Sequence, residues 1–215
     1  MILYRICYAV LRLFLPLLLD IRITGSDNIP RSGPVLLVSN HDSYADPVVL
    51  GAACPRPVHY LGKRELFEHS RVFAWLLRTL GCVPINRDRN ASSAIRKAEE
   101  LLDAGGVVGL FPEGGIETTG DLKGGVALIA MRSGAPVVPV YLSGTWRMHE
   151  IGACLLRSCR VRVEVGKPIW VSDADGTSNR AERAERLMEA LRSYIVRDDE
   201  AARGRITGAR SPRRR

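Results

Sequence analysis

Short apolar runs rich in Val, Ile and Leu recur along this chain, each closed by Gly, Pro, Asn or Asp and followed by a stretch of helical period. That alternation constrains the fold more than any other feature. Residues 21–25, 35–39, 58–61, 83–86, 107–111, 137–142 and 161–165 read as strands, and 47–53, 72–80, 92–104, 124–133 and 180–196 as helices. The expected fold class is α/β: a single domain with a mixed, mostly parallel central sheet flanked by helices, plus an amino-terminal interfacial membrane helix. Continuous apolar runs suit a sheet covered on both faces. Ala104-Gly105-Gly106 and Ser133-Gly134 supply the glycine that lets a helix stop in a left-handed turn.

The two ends differ from the body. Residues 1–20 are the most apolar stretch, yet Arg5, Arg12 and Pro16 interrupt them. A bilayer-spanning helix needs ~20 predominantly apolar residues, and the charge-free run 13–19 is far shorter. Arg5 and Arg12 lie seven apart, on one helical face, which fits a helix lying in the membrane interface; a terminal helix packed on the core is the alternative. Arg12 also splits the apolar region and no small-x-small site follows, against a secretory signal. The expected organisation is therefore a membrane-associating helix at 1–20, a body at 21–196 and a basic, disordered tail at 197–215. Six Arg and no acid lie between Arg203 and Arg215, so removing them from the formal charge of +8 leaves +2 on the rest. The body is not broadly basic, and nucleic acid is not expected as a partner. The five Cys form no C-x-x-C pair and read as reduced, small buried hydrophobes, with no metal site.

Two constellations fall at strand ends, where open α/β sheets collect ligands. Asn40-His41-Asp42-Ser43-Tyr44-Ala45-Asp46 follows the strand at 35–39, and Phe111-Pro112-Glu113-Gly114-Gly115 closes the strand at 107–111. A neutral imidazole can take a proton from an alcohol if a carboxylate fixes its tautomer. Asp46 can serve His41 in this way if residues 42–45 fold back as a turn. Asp46 also precedes Pro47, so it equally fits a helix cap with proline at the first helical position. Gly114 and Gly115 leave backbone N–H groups open to an anion, or simply make a tight turn. Arg87 and Lys63 are cations at two further strand ends, and Arg87 carries the planar fork that suits phosphate. No G-x-S-x-G elbow, Walker A loop, G-x-G-x-x-G or H-E-x-x-H is present.

Together these blocks resemble the glycerolipid acyltransferase family, whose hallmark is N-H-x-x-x-x-D. Gly62-Lys63-Arg64-Glu65-Leu66-Phe67 resembles its K-x-E-L block and Ile85-Asn86-Arg87 its later arginine. Phe111-Pro112-Glu113-Gly114 matches F-P-E-G, followed by Lys123-Gly124-Gly125, by Pro136-Val137-Val138-Pro139-Val140 with Gly144-Thr145, and by Gly166-Lys167-Pro168-Ile169. Order and spacing agree from about residue 21 to residue 195.

The resemblance implies transfer of an acyl group from an acyl-CoA or acyl carrier protein thioester to the free hydroxyl of 1-acyl-glycerol-3-phosphate, forming phosphatidate. His41 is then the general base, Asp46 orients it, and Lys63, Arg87, Glu113, Gly114 and Gly115 hold the acceptor's polar head. It implies no cofactor and no metal, with a lysophospholipid acceptor, the acyl thioester and the membrane surface as partners. The expected location is the cytoplasmic face of the cell membrane, peripheral or monotopic. Gly115 and Ile116 stand where the family carries Thr and Arg, which leaves open another lysophospholipid or an amino-acid lysolipid as acceptor. The Lys63 block also lacks the family's usual proline, having His69-Ser70-Arg71, and carries Ala74 where glycine is common. A thioesterase, in which His41 activates water, and a non-catalytic lipid-surface protein remain as alternatives. The depth of any acyl pocket turns on how Phe73, Trp75 and Leu76 pack.

Overall fold

Val35–Ser39 is buried at all five positions, so this segment must lie at the centre of a sheet covered on both sides. The computed structural model places it there; it describes residues 20–68, 70–85, 91–112, 125–145, 160–171 and 179–196, together with Ala9. Its strands are β1 (Asp20–Thr24), β2 (Val35–Ser39), β3 (Val58–Lys63), β4 (Cys82–Ile85), β5 (Val107–Leu110), β6 (Val137–Ser143) and β7 (Arg160–Val165). They form one sheet in the order β1-β7-β6-β2-β5-β3-β4. Every pair is parallel except β6 with β7, so β1 and β7 run against the other five.

The helices are α1 (Asp46–Ala53), α2 (Arg71–Thr79), α3 (Ala91–Asp103), α4 (Gly125–Ser133) and α5 (Arg180–Ile195). Alternate residues of β2 feed opposite faces of the sheet. Val35 and Leu37 pack with Val49, Leu50 and Ala53 of α1, whereas Leu36 and Val38 share a core with α3, α4 and α5. Leu187, Leu191 and Ile195 recur every fourth residue on α5, which is why one stripe of an otherwise charged helix is buried. Asn179 caps that helix by accepting from the Glu182 N–H at 3.0 Å, and Ser70 caps α2 through the Phe73 N–H at 3.0 Å. Gly105 and Gly134 take positive φ after α3 and α4, as their positions in sequence require.

The observed class is α/β, a single domain with a mixed, mostly parallel sheet, and it matches the sequence reading. The expectation of cover on both faces holds for β2 and β6 but not for the far edge. β7 alternates exposed and buried, and β1 is buried at no position, because α1 covers one face there and the other meets solvent. Among the described residues no helix is long and apolar enough to cross a membrane. The amino-terminal helix expected at 1–20 and the tail at 197–215 lie outside the described residues, apart from Ala9 and Asp20.

Candidate active site

Because β2, β3, β4, β5 and β6 are parallel, their carboxyl ends share one edge of the sheet. β2 ends on Ser39, and Asn40 extends its pairing with a side chain in place of a peptide. The Asn40 amide donates to the Leu142 carbonyl at 2.8 Å while its oxygen accepts the Leu142 N–H at 2.8 Å. An amide side chain carries one donor and one acceptor group, as a peptide does, so it can continue a ladder that the backbone has left. Its nitrogen also donates to Asp42 Oδ2 at 3.0 Å. These bonds fix the start of the turn.

Asp46 closes it. The residue is fully buried, and its Oδ2 accepts from the Asp42 and Ser43 N–H groups at 2.7 Å each and meets His41 Nδ1 at 2.9 Å. A carboxylate oxygen only accepts, so Nδ1 carries the ring proton and Nε2 keeps its lone pair. The chain from 42 to 45 folds back as the spacing requires. The capping role open to Asp46 in the sequence is not what forms: Asp46 is the first helical residue, Ala45 is the N-cap without a side-chain bond, and the carboxylate serves the preceding turn. Pro47 keeps its expected place at the helix start.

The imidazole is held from its face as well. Phe111 stacks on it with ring centroids 4.2 Å apart and planes 21° from parallel. Behind Phe111 lies Tyr60 at 6.2 Å and 12°, and the Tyr60 hydroxyl donates to the Pro47 carbonyl at 2.7 Å, tying the stack to the start of α1. Gly109 permits this. A Cβ there would come within 2.5 Å of the Tyr60 ring, so only glycine lets that ring lie across β5. The His41 side chain is left 16% exposed.

His41 and Asp46 are thus brought together. Lys63 ends β3 and is exposed at the same edge, two strands from β2, which is roughly 10 Å at ordinary strand spacing. Arg87, Glu113, Gly114 and Gly115 lie outside the described residues, as does Ile116. Their starting points do not: β4 ends at Ile85, and Phe111-Pro112 leave β5 against the imidazole. Sequence reasoning passed over Asn40, Tyr60, Phe111 and Gly109 as site residues. Asn40 was open to discovery as a donor–acceptor amide following a strand, whereas the ring stack joins β3, β5 and the β2 turn across some seventy residues. Phe73, Trp75 and Leu76, on whose packing the depth of an acyl pocket was expected to turn, are all exposed on α2.

A sequence model of the Acyltransferase family matches residues 20–143. A Bacillus subtilis 1-acyl-sn-glycerol-3-phosphate acyltransferase is 28% identical over 195 residues, 89% of this chain and 94% of that protein. A Streptococcus pneumoniae protein of the same name is 30% identical over 204 residues, 91% of this chain and 74% of that one. The crystal structure of the Thermotoga maritima enzyme PlsC superposes with a TM-score of 0.65 over 97% of this chain and 83% of that one; at 23% identity it speaks for the shared fold. Since the matched region runs from β1 through β6 and carries the His41–Asp46 turn within it, the chain belongs to the Acyltransferase family and is an acyltransferase.

Proposed function

We propose that this chain moves a fatty acyl group from an acyl-CoA or acyl carrier protein thioester to the free hydroxyl of 1-acyl-glycerol-3-phosphate, forming phosphatidate. The observation that carries the reading is the His41 ring, pinned at Nδ1 by Asp46 and across its face by Phe111, with Nε2 left to accept a proton. The relatives named for this activity in Bacillus subtilis and Streptococcus pneumoniae support the acceptor.

In the reaction, Nε2 takes the hydroxyl proton as the oxygen attacks the thioester carbonyl, and Asp46 steadies the imidazolium that forms. The tetrahedral intermediate collapses by breaking its C–S bond, and the departing sulfur takes the proton back from Nε2. Acyl ester and thiol leave, and the balance needs no metal and no redox cofactor. Arg87, Glu113, Gly114 and Gly115 hold the acceptor's polar head, with Lys63 adding positive charge along the edge. Chain continuity supports this assignment, since Glu113 comes two residues after the ring stacked on His41 and Arg87 two residues after the end of β4. Donor and acceptor meet at the cytoplasmic face of the membrane, to which the chain binds peripherally.

Purified full-length protein offered a labelled acyl thioester and a panel of lysolipids tests the reading. Phosphatidate is the expected product, formed much faster than the thioester is cleaved alone. Equal cleavage with and without lysolipid would show a thioesterase. Ile116 removes a cation common in the family, so Ile116→Arg is compared on the same panel. A gain confined to lysophosphatidate in that variant, with another lysolipid preferred by the wild type, would overturn the acceptor assignment.

A further inference from the structure

Helix α2 is amphipathic in an unusual sense, because its apolar side faces out. Ala74 and Thr79 are its buried residues, whereas Val72 is 76% and Trp75 55% exposed, with Phe73 and Leu76 beside them. At ~100° per residue, Trp75, Val72, Leu76 and Phe73 fall within one arc of about 160°, which the buried Thr79 enters only at the last residue of the helix, and Arg71 and Arg78 border it at the Trp75 side. The Arg78 guanidinium sits over the Phe67 ring at 5.4 Å, which holds that charge at the border instead of letting it sweep across the apolar arc. Leu66, in the short 3-10 turn that joins β3 to this helix, extends the exposed apolar surface. Between residues 63 and 79 the four cations Lys63, Arg64, Arg71 and Arg78 oppose the two acids Glu65 and Glu68, a net charge of +2 (4 − 2).

We infer that α2 and the turn before it form a docking surface for an anionic lipid bilayer. An apolar arc bordered by arginines, with an indole at the junction, is the pattern of a helix lying in a membrane interface. Charge complementarity picks the bilayer over other occupants, since anionic headgroups would neutralise the arginines while acyl chains cover Val72, Leu76 and Phe73. Position adds to this. The turn 64–67 leaves β3 at the edge that carries His41, so docking through it brings the catalytic edge to the lipid. The inference takes its purpose from the lipid-acceptor reading, but its geometry stands on α2 and the turn before it. It also differs from the amino-terminal helix expected at 1–20, because α2 belongs to the catalytic body.

The test uses the full chain with Trp146→Phe and Trp170→Phe, which leaves Trp75 as its one tryptophan. Vesicles of phosphatidylglycerol and phosphatidylcholine, with brominated acyl chains, should quench Trp75 strongly and shift its emission to the blue. Phosphatidylcholine vesicles should do so weakly. Trp75→Glu/Leu76→Glu in the wild-type background should lower the vesicle partition coefficient at least about tenfold. The same pair should keep its melting profile and its turnover on short-chain, water-soluble substrates.

Absence of quenching overturns the proposal. So does Trp75 emission that is already blue in buffer and unchanged by vesicles, because a second copy or another part of this chain then covers the face. Equal quenching by both vesicle types overturns the anionic assignment. Quenching is read without turnover, so vesicle binding by a protein that transfers no acyl group removes the proposed function and leaves the docking surface standing.

Discussion

Asp46→Asn alters one buried group that three residues depend on, and its cost can be worked from the contacts. In the native protein a single oxygen, Oδ2, accepts from the Asp42 N–H and the Ser43 N–H at 2.7 Å and holds His41 Nδ1 at 2.9 Å. An asparagine that puts its carbonyl there keeps all three bonds but loses the charge that strengthens them. Hydrogen bonds to charged groups are worth ~1.5–3 kcal/mol against ~0.5–1.5 for neutral ones, so three bonds lose about 3 kcal/mol together. The amide nitrogen then takes the place of Oδ1, a buried atom without a hydrogen-bond partner among the described residues, and an orphaned donor there adds ~1–3 kcal/mol. The flipped rotamer is worse, because it points an NH2 group at two backbone N–H donors.

Small domains keep ~5–15 kcal/mol of stability, so the variant should fold at 25 °C with a lowered urea midpoint. Turnover should fall much further, by about 10²–10⁴, because the imidazolium loses the negative charge that steadies it and the ring is held by a weaker bond. The assay is steady-state acyl transfer by purified protein, with urea denaturation run beside it. In a cycle with His41→Ala, the double variant should be no slower than His41→Ala alone, since the two side chains act as one unit. Turnover within about threefold of wild type, or two losses that multiply independently, would refute the reasoning.

Two further outcomes follow from other contacts. Gly109→Ala drives a methyl into the Tyr60 ring and should cost ~1–3 kcal/mol. It should also slow turnover, because Tyr60 backs Phe111 and is tied to Pro47; in a Tyr60→Leu background the same change should cost less, and an equal cost in both would separate Gly109 from the stack. Burial on β3 lowers the pKa of His59, and a hydrogen bond with the Gly81 backbone offsets this in part. The unfolded chain then takes up the proton first as pH falls below ~6.5, so this contribution is complete above that value and is lost towards the lower native pKa. Urea midpoints should therefore show wild type losing ground to His59→Gln as pH falls from neutrality to about 5. A difference that stays flat or grows would contradict the sign.

How far the chain could be read in advance depended on the range of the interaction concerned. Helix ends are local events, and the left-handed glycines at 105 and 134 stand where the expected helices 92–104 and 124–133 stop. Ser70 was overlooked as a cap because its helix was expected to begin at 72, one residue late. The sheet order was not legible. β1 pairs with β7 across some 140 residues, and alternation along a strand carries no information about its neighbour or direction. β7 shows this well: its one-sided burial follows from an edge-ward place in the sheet that its Val positions alone do not reveal.

The site divides in the same way. His41 and Asp46 are five residues apart, so one turn joins them and their pairing could be anticipated from spacing. The clamp on the ring could not, because Phe111 arrives from β5 and Tyr60 from β3. Its visible trace was a glycine at 109, between two strand residues, where a side chain would have collided. Asn40 was noticed as part of a pattern, but its bonds to Leu142 required knowing that β2 lies beside β6.

The most direct test of the central claim is acyl transfer by His41→Ala. The side chain is partly exposed, and its loss leaves Asp46 bonded to the Asp42 and Ser43 N–H groups, so the turn should stand and the melting profile stay close to wild type. Transfer from the labelled thioester to lysophosphatidate should fall by about 10² or more. A well-folded His41→Ala protein that keeps above about a tenth of wild-type turnover would show that another group takes the proton.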